Sequence, residues 1–415
     1  MCIFQDSIGE KEHDIQNKCP NRLVPCAPSC GLPDDLVFTI LLLIPAKLLH
    51  ENMRFISRFW RQTITSPCFI TNHLQISSAH HTHGLLVDFP CHQNNVAFYI
   101  KPPTSGDANP EFRVTELAKP PFDCRIRGSY HGLVLLQHEV NRDQFHVANL
   151  VTKSIVSLPS FPKFANLSTE NYEFSWTGIA FSYSSSINRY KVVIATHPYI
   201  KHLKQSQTPP QVWVYTVGVD QNWRKLEVPA GIDKFSLWCA LNPVQIPFHS
   251  PRSVGGFVYW SGISYPYAYG VALDVDTELF QRFILAPTTK RGILNYYWII
   301  CLQTGLGVVI TYKGGNLWRL YELTDLKSSK WTKIVDIDAR AILNQIKNYL
   351  QSTGLPSVTP IVYTNDEKLW FLSSPSSANL FYYNMREELI VPVPLNGKDI
   401  AAYHHVNTLL TLKNC

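Results

Sequence analysis

The sequence is poor in charged residues and in methionine. Only 16% of its 415 residues are Asp, Glu, Lys or Arg, and there are 3 methionines. Apolar residues make up 45% of the chain and aromatic residues 12%, a composition that excludes an intrinsically disordered protein and favours strands over helices as the main architecture. The net charge of +6 is small for this length, so we predict neither a nucleic acid nor a membrane surface as a partner.

Long uninterrupted apolar runs are also missing. Residues 1–21 are polar and of mixed charge, without the apolar run of a secretion signal. Two uncharged stretches, 253–273 and 292–312, are long enough to cross a bilayer, but turn-forming residues interrupt both, so we predict strands joined by hairpins and no membrane span. The 10 cysteines are scattered without a repeated spacing, as in a reduced protein. We therefore expect a cytoplasmic or nuclear location.

The common motifs of catalytic and cofactor sites are absent from the sequence. It contains neither G-x-x-x-x-G-K-[ST] nor G-x-G-x-x-G, so no phosphate-binding loop is predicted. His80, His81, His83, Cys91 and His92 provide only half of the paired spacing of a zinc site. The carboxylates are sparse as well. We therefore predict no metal, no cofactor and no catalytic residue in this chain.

Residues 32–73 carry strong helical periodicity. Pro33 and the two carboxylates after it are typical of a helix start, and the first predicted helix covers 36–44 and ends before the next proline. A second predicted helix begins near Ala46 and ends at Pro67. The first helix is apolar on nearly all sides, and a module of this size buries too little surface to be stable alone. It must therefore be covered by the rest of the chain or by a partner.

This region resembles an F-box in an ordered series of short motifs. The series is Leu32-Pro33-Asp34-Asp35-Leu36, Ile40-Leu41, Ile44-Pro45-Ala46-Lys47, Ile56-Ser57-Arg58-Phe59-Trp60-Arg61, Ile64 and Ser66-Pro67-Cys68-Phe69. Two features depart from the usual pattern: Ile44 replaces the basic residue common before the second proline, and the spacing from Pro45 to Trp60 is one residue longer. The alternative interpretation is an ordinary helical hairpin that caps the following domain.

The resemblance implies a binding partner for the apolar helical face, namely the small adaptor subunit of an SCF-type cullin–RING ubiquitin ligase, and through it the cullin. On this interpretation the predicted adaptor contacts are Leu32, Pro33, Leu36, Ile40, Leu41, Ile44 and Pro45. Trp60, Ile64 and Phe69 are predicted either to join this contact or to form the module's own core.

From about residue 75 onward, short apolar and aromatic runs alternate with Gly, Pro, Asn and Asp, as in a protein of many antiparallel strands. Similar units of about four strands recur at intervals of 46 to 54 residues, apart from one interval of 76 residues. This is typical of propeller blades, with a two-sheet sandwich array as the alternative. The units begin near Gly84, Tyr130, Thr177, Ser253, Gly305 and Thr359. We predict about six blades, a helical insertion over 339–350, and a closing strand over 403–412 that pairs with the first blade.

Parts of this region resemble the F-box-associated domain of a large plant family, which has kelch-like repeats. The matching segments are 128–136, 147–153 followed by Leu158-Pro159, 190–193 and 256–260. The resemblance implies an α+β protein of two modules, a small all-α F-box and a mainly antiparallel all-β, propeller-like domain. The predicted bounds are 1–31 for a flexible leader, 32–73 for the F-box and 84–412 for the propeller-like domain.

The function predicted from this pairing is target recognition. The F-box recruits the ligase, and the propeller presents an unidentified target protein for ubiquitination, without catalysis by this chain. The alternatives are a propeller enzyme or glycan-binding protein, or an F-box protein that acts outside a ligase. The candidate target-binding residues are Tyr265, Tyr267, Tyr269, Tyr296 and Trp298, aromatic side chains that would equally serve as packing between blades.

Overall fold

A helical N-terminal part precedes a long series of strands in the computed structural model of this chain. The structure describes residues 32–79, 84–89, 96–101, 113–118, 123–162, 172–200, 211–228, 251–264, 267–285, 297–302, 305–352, 354, 356–364, 367–374, 378–397 and 401–412. The predicted leader over 1–31 therefore lies outside the described residues.

The N-terminal helices are short and lie close together in the chain. Their bounds are α1 Asp34–Leu42, α2 Ala46–Glu51, α3 Arg58–Thr65 and α4 Pro67–Ala79. A 3-10 turn, Met53–Phe55, lies between α2 and α3. The prediction of one helix from Ala46 to Pro67 is therefore wrong, and the helical part extends beyond the predicted end of the F-box at residue 73. We call residues 32–79 the helical module.

Serine side chains explain where α3 and α4 begin. The hydroxyl of Ser57 accepts a hydrogen bond from the backbone N–H of Trp60 at 3.1 Å, and the hydroxyl of Ser66 accepts one from Phe69 at 3.3 Å. Each bond satisfies an N–H that has no partner within its helix. Pro67 occupies the first position of α4, where its missing N–H costs nothing. The Ser66-Pro67 pair therefore starts a helix as well as ending the previous one.

The strands of the described residues form five sheets, four of them with four strands. The first sheet contains, in spatial order, β24 (Ala401–His405), β1 (Gly84–Phe89), β2 (Val96–Lys101) and β3 (Arg113–Ala118). The second contains β4 (Cys124–Tyr130), β5 (Leu133–His138), β6 (Phe145–Asn149) and β7 (Ser154–Ser157). The third contains β8 (Tyr172–Ser184), β9 (Arg189–Ile200), β10 (Gln211–Thr216) and β11 (Arg224–Leu226). The fourth contains β12 (Arg252–Val254), β13 (Phe257–Ser264), β14 (Tyr267–Asp274) and β15 (Phe280–Ile284).

The fifth sheet has eight strands in the order β19-β18-β17-β16-β20-β21-β22-β23. Its first half contains β16 (Tyr297–Cys301), β17 (Leu306–Tyr312), β18 (Leu317–Asp325) and β19 (Lys330–Asp338). Its second half contains β20 (Ser357–Thr364), β21 (Lys368–Ser374), β22 (Ala378–Asn384) and β23 (Leu389–Gly397). Helix α5, Ala339–Leu350, connects the halves at the predicted place. The predicted count of about six blades differs from these five sheets, because a parallel pair, Cys301 with Val362, joins two antiparallel meanders into one sheet.

The innermost strands close a ring, as expected for a propeller-like domain. Strands β24, β4, β8, β12, β16 and β20 each contact the next in this order, and β20 contacts β24. Strand β24 pairs antiparallel with β1, so the C-terminal end of the chain completes the first sheet. This pairing removes two exposed sheet edges. The closing strand is shorter than predicted, since it ends at His405.

Similar turns recur where the third strand of a meander leads into the fourth. An Asn or Asp begins each of these turns, and its side-chain oxygen accepts a backbone N–H two residues later, which is an Asx turn. The first residues are Asn149, Asp274, Asp325 and Asn384, with bonds of 2.8, 2.8, 3.0 and 3.1 Å. The residue four positions later has a positive φ in every case: Lys153 at 58°, Glu278 at 59°, Ser329 at 53° and Glu388 at 50°.

A buried carboxyl group lies where the first and second sheets meet. Asp88 of β1 is buried, and its Oδ2 accepts a hydrogen bond of 3.0 Å from the backbone N–H of Ile126. The register of β4 shifts between Ile126 and Gly128, so Asp88 satisfies an amide next to a β-bulge. Burial raises the pKa of Asp88 to about 6.

The raised pKa of Asp88 leads to a pH-dependent stability. The folded state retains the proton up to about pH 6, whereas the unfolded chain releases it near pH 4, so the contribution of Asp88 decreases as the pH rises through this window. We expect the free energy of unfolding of the wild type, relative to Asp88→Asn, to fall by about 1–3 kcal/mol from pH 4 to pH 8. Urea unfolding of both proteins at several pH values measures this difference. If the free energies of unfolding of the two proteins changed in parallel with pH, the raised pKa of Asp88 would be contradicted.

Candidate partner-binding surface

Helix α1 has one buried face and one exposed face. Val37, Leu41 and Leu42 are buried in the core of the module. Leu36, Ile40 and Leu43 recur at helical spacing on the other side. Together with Leu32 they retain between 47% and 71% of their exposure in the full chain. The two faces of this apolar helix therefore have different surroundings.

The exposed face continues from α1 into α2. Pro33 and Pro45 stand just before the two helices and are themselves exposed. In α2, Ala46 and Leu49 are buried, whereas Leu48 is exposed. We call the side chains of Leu32, Leu36, Ile40, Leu43 and Leu48 the exposed helix face. A row of large exposed aliphatic side chains is unusual on a monomeric protein and is typical of an interaction surface.

Three of the predicted adaptor contacts belong to the internal core instead. Leu41, Ile64 and Phe69 are fully or almost fully buried, with 0%, 2% and 0% exposure. The ring of Phe69 packs edge-on against Phe38 at 5.3 Å. The prediction that Leu41 contacts a partner is therefore not met in this conformation, because its side chain points into the module. Ile64 and Phe69 belong to the module's own core, which is the second of the two roles predicted for them.

The remaining predicted contacts divide between exposed and half-buried positions. The exposed ones are Leu32, Pro33, Leu36, Ile40 and Pro45. Ile44 and Trp60 are half-buried and pack against the same apolar cluster as Leu41.

His73 of α4 holds the turn between α1 and α2. Its buried imidazole stacks on Phe69 at 5.9 Å, and its Nε2–H donates to the carbonyl of Ile44 at 2.9 Å. The hydroxyl of Ser77 lies 3.3 Å from Nδ1. Burial lowers the pKa of His73, which favours the neutral ring. His73 therefore positions the end of α1, a role that the sequence did not reveal because α4 was not predicted.

Four exposed apolar side chains, two of which belong to the exposed helix face, were not among the predicted contacts. Leu43, Leu48, Phe55 and Ile56 are all exposed. The guanidinium of Arg54 lies 4.7 Å from the centre of the Phe55 ring. For Leu43 the available signal was its helical spacing from Leu36 and Ile40.

The aromatic residues that are predicted to bind a target do not share one structural environment. Trp298 in β16 is half-buried and packs against Trp318 at 6.0 Å, which agrees with a packing role. Tyr267 and Tyr269 belong to β14, where the backbone alone is described. Tyr265 and Tyr296 lie outside the described residues.

Neither a metal cluster nor a membrane-spanning helix is present in the described part of the chain. Among these residues no group of three or more His, Cys, Asp or Glu side chains is arranged to hold a metal ion. No helix within the described ranges has the length and apolar character needed to cross a membrane. The histidines at 80–83 and the Cys91-His92 pair lie outside the described residues.

Comparison with known protein families identifies the strand-rich part of the chain. Residues 85–414 match the family described as the F-box associated beta propeller domain. The chain is a plant-type F-box protein with an F-box-associated propeller domain. A putative F-box/kelch-repeat protein of Arabidopsis thaliana is similar to this F-box protein, with 25% identity over 384 residues that cover 84% of each chain.

The solved structures that match this chain come from diverse proteins. TolB from Acinetobacter baumannii matches the F-box protein with a TM-score of 0.42 at 10% identity, over 84% of this chain and 73% of that chain. Aleuria aurantia lectin, in complex with a methyl fucoside, matches with a TM-score of 0.32 at 10% identity, over 75% of this chain and 96% of that chain. At these scores no functional conclusion follows from either neighbour.

Proposed function

We propose that this F-box protein is the target-recognition subunit of an SCF-type cullin–RING ubiquitin ligase. In this role the exposed helix face binds the adaptor subunit, and the propeller binds a target protein. The chain itself catalyses nothing and works in the cytoplasm, the nucleus or both. Its contribution is to raise the effective concentration of the target near the charged conjugating enzyme.

The observation that carries the proposal is the division of α1 into two faces. The inner face of α1, including Val37 and Leu41, is buried in an apolar cluster that also contains Leu150 of the strand-rich domain. Leu36 and Ile40 nevertheless remain about half exposed in the full chain, at 51% and 47%. The apolar surface that the module cannot cover by itself is thus available to a second protein, and the hydrophobic effect favours its burial there.

The charges beside the exposed helix face allow its burial at low cost. Asp34 and Asp35 lie in the first turn of α1, where they face the free N–H groups of the helix start. Between them and the end of α1 the helix carries no other charged side chain. A partner can therefore cover Leu36, Ile40 and Leu43 without desolvating an unpaired charge.

Binding of the purified adaptor subunit tests the proposal. The variant Leu36→Asp plus Ile40→Asp introduces two charges at the centre of the exposed helix face. We expect it to lose binding to the adaptor at least about a hundredfold, since each buried unpaired charge is strongly unfavourable. Its far-UV circular dichroism and melting temperature should remain close to those of the wild type, because both positions are solvent-exposed.

A matched control changes the same number of exposed aliphatic residues elsewhere. Val140→Asp plus Ile187→Asp alters two exposed positions in turns of the strand-rich domain, and we expect it to bind the adaptor like the wild type. Undiminished binding of the α1 variant would contradict the proposal. In vitro ubiquitination with the assembled ligase then measures whether binding leads to transfer onto a captured target.

A further inference from the structure

The chain continues past the last strand in an ordered segment without strand pairing. Residues 406–412, here the C-terminal segment, follow β24. Val406, Thr408, Leu409 and Leu412 are buried. A buried segment without sheet partners must satisfy its backbone groups by other means, so its hydrogen bonds indicate what holds it.

Asn149 supplies hydrogen bonds to two backbone carbonyls of this segment. Its amide Nδ2 donates to the carbonyl of Thr408 at 3.0 Å and to the carbonyl of Leu410 at 2.9 Å. Its Oδ1 accepts from the backbone N–H groups of Val151 at 2.8 Å and Thr152 at 3.2 Å. The side chain is completely buried. One amide therefore joins the C-terminal segment to the β6–β7 turn.

The turn between β4 and β5 contacts the C-terminal segment from another side. The hydroxyl of Thr408 donates to the carbonyl of His131 at 3.1 Å. Gly132 has a positive φ of 76°, and a Cβ atom at this position would collide with the carbonyl of Val406 and the hydroxyl of Thr408. Glycine is thus required here by both its backbone conformation and the close approach of the segment.

The β6–β7 turn that Asn149 organises also packs against the helical module. Leu150 and Val151 belong to the same buried apolar cluster as Leu41 of α1. Lys153 lies close to His50 of α2: burial lowers the pKa of His50, and the positive charges of Arg54 and Lys153 lower it further. The turn is therefore bonded to the C-terminal segment and shares an apolar cluster with the helices.

The C-terminal segment itself belongs to two different apolar clusters. Leu409 is buried in the cluster that contains the residues of α1 and α4. Leu412 is buried in a second cluster, formed by the second and third sheets. Leu410 packs against both. The segment thus links the helical module to the interior of the strand-rich domain.

We infer that Asn149 and the C-terminal segment together hold the helical module in a defined position on the propeller. Loss of their contacts releases the helices while the sheets remote from them stay folded. For the proposed ligase subunit, and resting on that proposal, this contact sets the orientation of the adaptor-binding face relative to the target-binding domain. The attachment of the helical module to the propeller requires neither the adaptor nor a target.

The repeated Asx turns allow the inference to be tested with an isosteric substitution, and they supply a matched control. Asn149→Asp keeps the oxygen that accepts the turn N–H groups and removes the two donors that bind the C-terminal segment. Asn384 begins the corresponding turn after β22, where its oxygen accepts from the N–H of Arg386. Asp274 and Asp325 occupy the same position in two other turns, so an aspartate is compatible with the turn.

Hydrogen–deuterium exchange of the full chain, measured by mass spectrometry, distinguishes the two variants. We expect Asn149→Asp to raise amide exchange about tenfold in the helices and the C-terminal segment. The third, fourth and fifth sheets should stay within about twofold of the wild type. Asn384→Asp should leave the helices unchanged. Equal effects of the two variants on the helices, or a uniform rise over all sheets in Asn149→Asp, would overturn the inference.

If Asn149→Asp does not fold, a second pair of variants tests whether the C-terminal segment holds the helical module. Leu409→Ala and Leu412→Ala make the same change three residues apart, in different clusters. The first should raise exchange about tenfold in the helices, and the second should act on the second and third sheets without affecting the helices. The same exchange pattern in both would contradict a specific link through Leu409. Because no adaptor is present, failure here leaves the proposed ligase function unaffected.

Discussion

Replacing Leu41 with alanine is expected to lower the free energy of unfolding by about 2–5 kcal/mol, whereas the same change at Leu36 alters it by less than about 0.5 kcal/mol. Both leucines lie in α1. Leu41 is completely buried, while half of Leu36 is exposed. Truncation at Leu41 leaves a cavity that the surrounding helices and sheets fill only partly, and truncation at Leu36 removes methyl groups from water.

Urea unfolding followed by circular dichroism measures both values. The comparison is internally matched, because the two substitutions have the same chemistry in one helix. If Leu36→Ala were as destabilising as Leu41→Ala, the outer face of α1 would be packed within this chain. The proposed adaptor site would then lose its structural basis.

Removing the Glu278 carboxylate is expected to have a comparably large effect. Lys191 of β9 is buried and donates to Glu278 Oε1 at 2.8 Å and to the carbonyl of Val275 at 2.7 Å. Arg224 donates to both carboxylate oxygens of Glu278, at 3.0 and 2.8 Å. The hydrogen bonds from Arg224 and Lys191 lower the pKa of Glu278 to about 2. The group thus joins the third sheet to the fourth.

Glu278→Ala leaves the buried ammonium of Lys191 without its countercharge, which is expected to cost about 3–5 kcal/mol. The double variant Lys191→Met plus Glu278→Ala should recover most of this loss, because it removes the buried charge as well. Thermal and urea unfolding of the single and double variants measure the coupling. Additive losses in the double variant would show that the ion pair is not the cause.

A control is needed because Glu278 has a positive φ. Glu388 occupies the same position in the turn after β22, with φ of 50° against 59° for Glu278, and its side chain is exposed. Glu388→Ala should change stability by less than about 0.5 kcal/mol.

The contribution of Glu278 to the free energy of unfolding also depends on pH. Because the pKa of Glu278 is depressed, this contribution is present above pH ~4.5 and is lost as the pH falls toward 2.

Some features of the strand-rich domain were readable from local sequence. Five of the six predicted unit starts lie within β1, β4, β8, β12 and β20, since runs of apolar and aromatic residues between turn formers have a direct local cause. The sixth, Gly305, precedes β17, which is the second strand of its meander. The Asx turns contain a clearer repeat that the prediction did not use. An Asn or Asp four residues before a residue of positive φ begins each of them, as at Asn149 and Lys153.

Other features depend on contacts between residues far apart in the chain. The number of separate sheets follows from the pair between Cys301 and Val362, which joins two meanders. The boundaries of α3 and α4 were only partly local: Ser57 and Ser66 are recognisable caps, but the position of α4 depends on the packing of Phe69 and His73. The helix propensities of single residues do not predict such packing.

The sequence by itself determined that α1 is a helix with apolar residues on nearly every side, bounded by prolines, and that many antiparallel strands follow it. Helical spacing and turn chemistry act over a few residues, so these conclusions need no knowledge of the fold. Only the tertiary structure decided which apolar residues of α1 are covered, because its buried residues share an apolar cluster with Leu150, Val151 and Leu409, which lie more than a hundred residues away along the chain. For that reason Leu36 and Leu41, which helical spacing places on two apolar faces of the same helix, have different roles in the folded protein.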